Sequence, residues 1–119
     1  MVGHQIIAEL EGCDPSRLND PDQLESALRA ACSEAGATVV TSAFHHFSPH
    51  GVSGVVVISE SHVAVHTWPD RAYASFDIFT CGDAALCERI LKKIEACVGA
   101  AHTSAQHIQR GPGAQLTQA

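Results

Sequence analysis

Positive charge is scarce in this chain of 119 residues, where seven Lys and Arg face thirteen Asp and Glu for a formal charge of −6. Nucleic acid is therefore not an expected partner, because phosphates demand clustered positive charge. An acidic chain suits a cationic small molecule instead. No run approaches the ~18 apolar residues of a membrane span, and the start lacks the basic-then-apolar profile of a signal peptide, so a cytoplasmic protein without membrane contact is expected. The five cysteines, at 13, 32, 81, 87 and 97, form no CxxC pair and are odd in number. Reduced thiols are expected, with Cys13, Cys32, Cys87 and Cys97 given no role beyond small hydrophobes. Eight histidines raise the question of a metal. The nearest ligand spacing is His62 with His66, which chelates on a helix but spans ~13 Å on a strand, too far to share one ion, so no metal is expected. No internal repeat is visible, and the length fits one domain, 1–119, burying roughly two thirds of its unfolded surface.

What the chain does contain is alternation of short apolar runs and two amphipathic helices. His4 to Leu10 reads as a first strand and Gly12 to Leu18 as a loop. Asp20 is an expected N-cap, with Pro21 at the first helical position and Gln23 three residues after the cap. Leu24, Ala27, Leu28, Ala31 and Ala35 follow at helical spacing, and Gly36 ends the helix. Thr38 to Phe47 returns as a strand, with His45 and His46 as polar edge residues. Ser48 to Gly54 is a tight loop that delivers Ser53 to the head of the next strand, the apolar run Gly54 to Ser59. Glu60 and Ser61 then interrupt that run where a core strand should continue, a local conflict of the kind found at functional sites. His62 to Thr67 alternates with its even-numbered side chains on one face, Trp68 to Arg71 is a turn, and Tyr73 to Thr80 completes a hairpin. Asp83 to Val98 is a second helix with Cys87, Ile90, Leu91, Ile94 and Val98 on one stripe. Ala101 to Arg110 is a closing strand, and Gly111 to Ala119 is a polar tail. The order, strand, helix, three strands, helix, strand, predicts an α+β fold: a two-layer sandwich of a largely antiparallel sheet with two helices packed on one face.

The densest chemistry lies in Ser59 to Gly82, SESHVAVHTWPDRAYASFDIFTCG. Together with the preceding block it carries a resemblance. FSPHGVSGVVVISESHVAVHTWP from Phe47 to Pro69, and YASFDIFTCG from Tyr73 to Gly82, resemble the short prokaryotic type of S-adenosylmethionine decarboxylase proenzyme. Weaker similarity runs from GHQIIAELEGCD near the start to IQRG near the end. A motif of this length with so few gaps is far more specific than any three-residue pattern.

The resemblance implies a pyruvoyl-dependent decarboxylase that supplies aminopropyl groups for spermidine synthesis. Decarboxylation leaves an electron pair, which such an enzyme draws into an imine formed with the substrate amine. No pyridoxal phosphate is expected, since no lysine lies between His4 and Glu88 and no cofactor motif is present. The family makes its carbonyl from the chain: the serine of a Glu-Ser pair attacks the preceding carbonyl, the amide becomes an ester, and elimination leaves an N-terminal pyruvoyl group. Carried onto this sequence, self-cleavage falls between Glu60 and Ser61, giving 1–60 and 61–119 with Ser61 as the covalent pyruvoyl precursor. Ser53 matches the serine that helps form the oxyanion intermediate, His66 the base that takes the α-proton, and Cys81 the proton donor after decarboxylation. Phe47 matches the aromatic that stacks on adenine. Asp70 stands where the family usually has a ribose-binding glutamate, one methylene and ~1.5 Å shorter. Arg71-Ala72 also departs from the family's glycine two residues on. The resemblance further implies a homodimer of cleaved protomers. Relatives with the same processing residues act on ornithine or arginine, which keeps those substrates as alternatives. A non-processing binding homologue and a metal- or thiol-based module are the readings from other classes.

Overall fold

The computed structural model describes residues 2–114. Met1 and the part of the expected polar tail from residue 115 onward lie outside the described residues. Six strands form one sheet: β1 (Gly3–Glu11), β2 (Val39–His46), β3 (Val52–Ile58), β4 (Ser61–Trp68), β5 (Tyr73–Thr80) and β6 (His102–Arg110). Their order across the sheet is β2-β3-β4-β5-β1-β6, and all neighbours are antiparallel. Two long helices, α2 (Pro21–Glu34) and α3 (Ala84–Val98), cover one face, giving the two-layer α+β sandwich expected from the sequence.

Both helices are capped as their sequences require. Asp20 accepts from the backbone N–H groups of Asp22 and Gln23, with Pro21 at the first turn. Gly36, at φ +108°, then lets the chain leave α2 by a path that side chains disfavour. Asp83 caps α3 by accepting from Leu86 N. The stripe Cys87, Ile90, Leu91, Ile94 and Val98 is buried, as is the α2 stripe through Leu24, Leu28, Ala31 and Ala35, which Cys32 joins. These side chains meet Ile6, Ala8 and Leu10 of β1, Val56 and Ile58 of β3, Val63 and Val65 of β4, and Phe76 and Ile78 of β5.

Three local readings need correction. Gly12 to Leu18 contains a short helix, α1 (Pro15–Leu18), because Asp14 and Pro15 repeat the cap-and-proline signal of Asp20 and Pro21. The loop after β2 ends at Gly51 and not at Gly54, since Val52 and Ser53 already pair with His46 and His45. Finally, Glu60 and Ser61 do not interrupt a continuing strand. Ile58 pairs with Ser61, so Ser59 and Glu60 form a two-residue hairpin turn and four strands, not three, lie between the long helices. The reversal keeps both apolar runs on the core face: Val56 pairs with Val63.

Alternation leaves the other sheet face without a covering layer. On β4 the odd-numbered Val63, Val65 and Thr67 are buried beneath the helices, while His62, Ala64, His66 and Trp68 share the opposite face, as the sequence pattern predicts. Ser53, Val55 and Val57 of β3 and Ser75, Asp77 and Phe79 of β5 lie beside them.

Candidate active site

Two groups of predicted residues form, and they sit at opposite ends of the β3–β4 hairpin. The first gathers around the Ser59-Glu60 turn. Ser61 Oγ donates to the Glu60 carbonyl oxygen at 2.5 Å. Cys81, at the end of β5, donates its Sγ–H to the same oxygen at 2.8 Å. The Cys81 backbone N–H donates in turn to Ser61 Oγ at 3.1 Å. A hydroxyl nucleophile therefore lies against the carbonyl that precedes it, and a thiol donor rests on the oxygen that carries negative charge if that carbonyl is attacked.

Cys81 is held there from behind. Thr80, almost wholly buried, donates Oγ1 to the Asp83 carbonyl at 2.8 Å and lies 3.2 Å from Cys87 Sγ, closing the turn that carries Cys81 and Gly82. Cys81 also differs from the other four cysteines in exposure: Cys13, Cys32 and Cys87 are buried and Cys97 is half-buried. Burial pushes the thiols of Cys13, Cys87 and Cys97 up and that of Cys32 to about 11, where they are inert as thiolates near neutral pH.

The second group lies on the uncovered face. Ser53 of β3 and His66 of β4 are cross-strand partners, and Ser53 Oγ and His66 Nδ1 share a 2.7 Å hydrogen bond. Gly54 beside them is required by a close approach, since an added Cβ would stand 2.3 Å from the Phe44 ring. The same two residues line a cavity of about 370 Å³ with Phe47, His50, Trp68 and Asp70, within the roughly 300–1,000 Å³ usual for small-molecule sites. Phe47 and Trp68 are exposed aromatics at this cavity, and Trp68 stacks on Tyr73 with ring centroids 5.0 Å apart. Asp70 Oδ1 is 3.1 Å from His50 Nε2.

The cavity wall is fixed by polar contacts, those of Thr67 being buried. Thr67 donates Oγ1 to the Leu18 carbonyl at 2.8 Å and accepts from Val52 N at 2.9 Å, tying β4 and β3 to α1. Asn19 Oδ1 accepts from Gly51 N at 2.9 Å and lies 3.0 Å from His46 Nε2. Phe47 N donates to the Gly51 carbonyl at 2.8 Å, closing the loop that presents Phe47 and His50.

The structure thus joins Glu60 with Ser61 and Cys81, and Phe47 with Ser53, His66 and Asp70, but it does not join the two groups within one chain. Ser61 and His66 are five residues apart on an extended strand, ~16 Å at ~3.3 Å per residue. Nearness in the sequence motif suggested one cluster; strand geometry separates it into two. His50, Trp68, Thr80 and Asn19 carry no role in the sequence reading. His50 and Trp68 were within reach of it, since they fall inside the same block as Phe47, which ends just before Asp70. Thr80 and Asn19 act through contacts that only the fold creates. Among the described residues no group of three or more His, Cys, Asp or Glu is placed to hold a metal ion, and no helix is long and apolar enough to cross a membrane.

Comparison with known proteins gives a consistent result. The model of the family described as S-adenosylmethionine decarboxylase matches residues 4–111. A protein of Acidithiobacillus ferrooxidans named S-adenosylmethionine decarboxylase proenzyme is 46% identical over 110 residues, covering 92% of this chain and 83% of its own length. One of the same name from Pelotomaculum thermopropionicum is 46% identical over 110 residues, covering 92% and 87%. Among solved structures, the adenosylmethionine decarboxylase of Aquifex aeolicus superposes with a TM-score of 0.86 at 29% identity, over 99% of this chain and 98% of that one.

Proposed function

The chain belongs to the S-adenosylmethionine decarboxylase family, and from that premise we infer that it is a decarboxylase of S-adenosylmethionine, matured by cutting itself between Glu60 and Ser61. The observation that carries the reading is the Glu60 carbonyl oxygen, which accepts from both the Ser61 hydroxyl and the Cys81 thiol.

In maturation, Ser61 Oγ bonds to the Glu60 carbonyl carbon while its proton passes to the Ser61 nitrogen, which leaves as the amide becomes an ester. Cys81 Sγ–H steadies the negative oxygen during that exchange. A base then takes the Ser61 α-proton and the Cβ–Oγ bond breaks, releasing Glu60 as a carboxylate. The enamine left behind shifts to its imine, water adds at the α-carbon and ammonia departs, so the ketone at the head of the second fragment takes its oxygen from water. His66 is the base assigned to this step, with Ser53 holding its ring. The resulting pyruvoyl group would supply an electrophilic carbonyl to the substrate amine, and conjugation through that link is the sink for the electron pair left by departing carbon dioxide. Cys81, exposed and beside Ser61, returns a proton after that departure.

The separation of the two groups within one chain supports a homodimer. A two-fold related copy laid face to face on the uncovered sheet, with its strands reversed, sets the Ser53-His66 pair and cavity of one protomer against the Glu60-Ser61 turn of the other. Each site then draws on both chains. The substrate follows from the cavity: Phe47 offers a ring face to adenine, and Asp70 a carboxylate to the ribose. The Asp70 carboxylate would also pair with the distal cation of ornithine or arginine, so it is the family match, together with a ring face wide enough for a base, that favours the nucleoside substrate.

The test is intact mass of aged protein together with carbon dioxide release from S-adenosylmethionine, ornithine and arginine in parallel. Two fragments, the second blocked at its N-terminus and reactive toward carbonyl reagents, and turnover of S-adenosylmethionine alone are expected. A chain still whole, with no carbonyl reactivity, refutes the mechanism. Turnover of an amino acid in place of S-adenosylmethionine refutes the substrate and leaves the mechanism standing.

A further inference from the structure

The cavity contains one titratable side chain that the reaction above does not use. His50 comes from the loop between β2 and β3, and Asp70 from the 3-10 turn Pro69–Arg71 between β4 and β5. Their 3.1 Å contact bridges two separate connections at the cavity. Both side chains are about half exposed, and an ion pair in that setting adds little to the stability of a fold. Its effect is therefore local. The His50 loop is already fixed on its other side, by Asn19 on Gly51 and by the Phe47-to-Gly51 hydrogen bond. The turn that carries Asp70 is fixed as well, by Ala72 N on the Pro69 carbonyl and Cys13 N on the Ala72 carbonyl, and among the described residues each side chain has the other as its one side-chain partner, so the contact sets the carboxylate between two fixed backbones. His66, the other imidazole of the cavity, is engaged through Nδ1 with Ser53.

We propose that His50 is a positioning residue for the nucleoside, acting through Asp70: its ring fixes the carboxylate in one setting from which its oxygens can accept from a vicinal diol. A carboxylate offers about four lone-pair sites, so one hydrogen bond from His50 leaves capacity for both hydroxyls of a ribose. A free aspartate must lose rotamer freedom when the diol binds, whereas a held one has lost it beforehand. The inference deepens the reading of this site as a nucleoside cavity and rests on it.

The experiment measures binding of 5′-methylthioadenosine, which carries adenine and diol but no amino-acid end, to the full chain with Ser61→Ala. That variant keeps binding separate from cleavage. Its 2′-deoxy counterpart, lacking one hydroxyl, serves as control. His50→Ala should weaken the diol ligand about threefold to tenfold, leave the deoxy ligand nearly unchanged, and add nothing in a chain already carrying Asp70→Asn. His50→Gln, which keeps a donor, should recover most of the loss. In the cleaved enzyme with Ser61 intact, His50→Ala should raise KM for S-adenosylmethionine by the same factor and leave kcat alone. Equal weakening with and without Asp70, or no weakening at all, overturns the proposal. If the binding pattern holds while the wild-type protein releases no carbon dioxide, the reaction assigned above falls and His50 keeps its role.

Discussion

Cys81 Sγ donates to the carbonyl oxygen of Glu60, 21 residues upstream, at 2.8 Å. The oxygen it touches belongs to the bond assigned for cleavage, so the proposed mechanism gives the thiol a part in maturation beside the one assigned to it in turnover. Cys81→Ala should still yield two fragments, but more slowly by roughly tenfold or more, a thiol being a weaker donor than those whose removal costs 10²–10³. Cys81→Ser should recover part of the cleavage rate. Gel densitometry against time decides it, and cleavage at the wild-type rate in Cys81→Ala would return the thiol to turnover alone.

The split between Ser61 and His66 predicts complementation. Ser61→Ala and His66→Ala should each stay whole when made alone. Made together, they form mixed dimers in which one site combines an intact Ser61 with an intact His66 from the other chain. Fragments should then appear from the His66→Ala chain only, which a mass tag on either chain identifies. Coexpression that yields no fragments would show that the two groups do not meet across protomers.

Phe76 is the largest fully buried side chain, on β5 between sheet and helices. Phe76→Ala should destabilise the fold by about 3–5 kcal/mol, from lost burial and the cavity left behind. Urea unfolding of the uncleaved Ser61→Ala chain measures it as a lower midpoint at unchanged slope. A shift under about 1 kcal/mol would mean that the core there collapses freely.

Alkaline stability should depend on Cys32. Burial raises its thiol from 9.0 to about 11, so the folded state holds a proton that the unfolded chain gives up. The stability this represents is complete below pH 9 and is lost as pH rises toward 11. Unfolding free energy of the Ser61→Ala chain should fall across that window, and less steeply with Cys32→Ala. Identical slopes would place the alkaline loss in Cys13, Cys87 or Cys97, whose thiols are raised as well.

Periodicity made most of the fold legible. The α3 stripe from Cys87 to Val98 and the even-numbered face of His62 to Trp68 need only the repeat lengths of helix and strand. The Asp20-Pro21 cap is equally plain, while the same signal at Asp14-Pro15 opens a helix of only four residues, too short for a hydrophobic stripe to repeat. The Ser59-Glu60 reversal was not legible, since neither residue is glycine, asparagine or proline and both flanking runs are apolar. Of the site, motif similarity named the residues assigned to the reaction, but spacing along a strand decides which of them can meet. Asn19 lies outside the quoted blocks, and Thr80, though inside YASFDIFTCG, shows its part only in the fold, because their partners, Gly51 and Asp83, become neighbours through the loop and turn that they close.

The position of the Ser59-Glu60 turn has a consequence for how the molecule can be remade. Cutting there severs the direct link between β3 and β4, two adjacent strands in the middle of the sheet, paired from Ser53 with His66 to Ile58 with Ser61. The halves of a chain cut as proposed would be held by strand pairing and the shared core without a covalent join, and the connection that made their pairing unimolecular would be gone. In the uncut chain β3 finds β4 at a rate independent of dilution. A chain cut as proposed, once denatured, would have to find its other half by collision, so its recovery would fall on dilution and the first folding would be the only one in which a single chain pairs these strands alone.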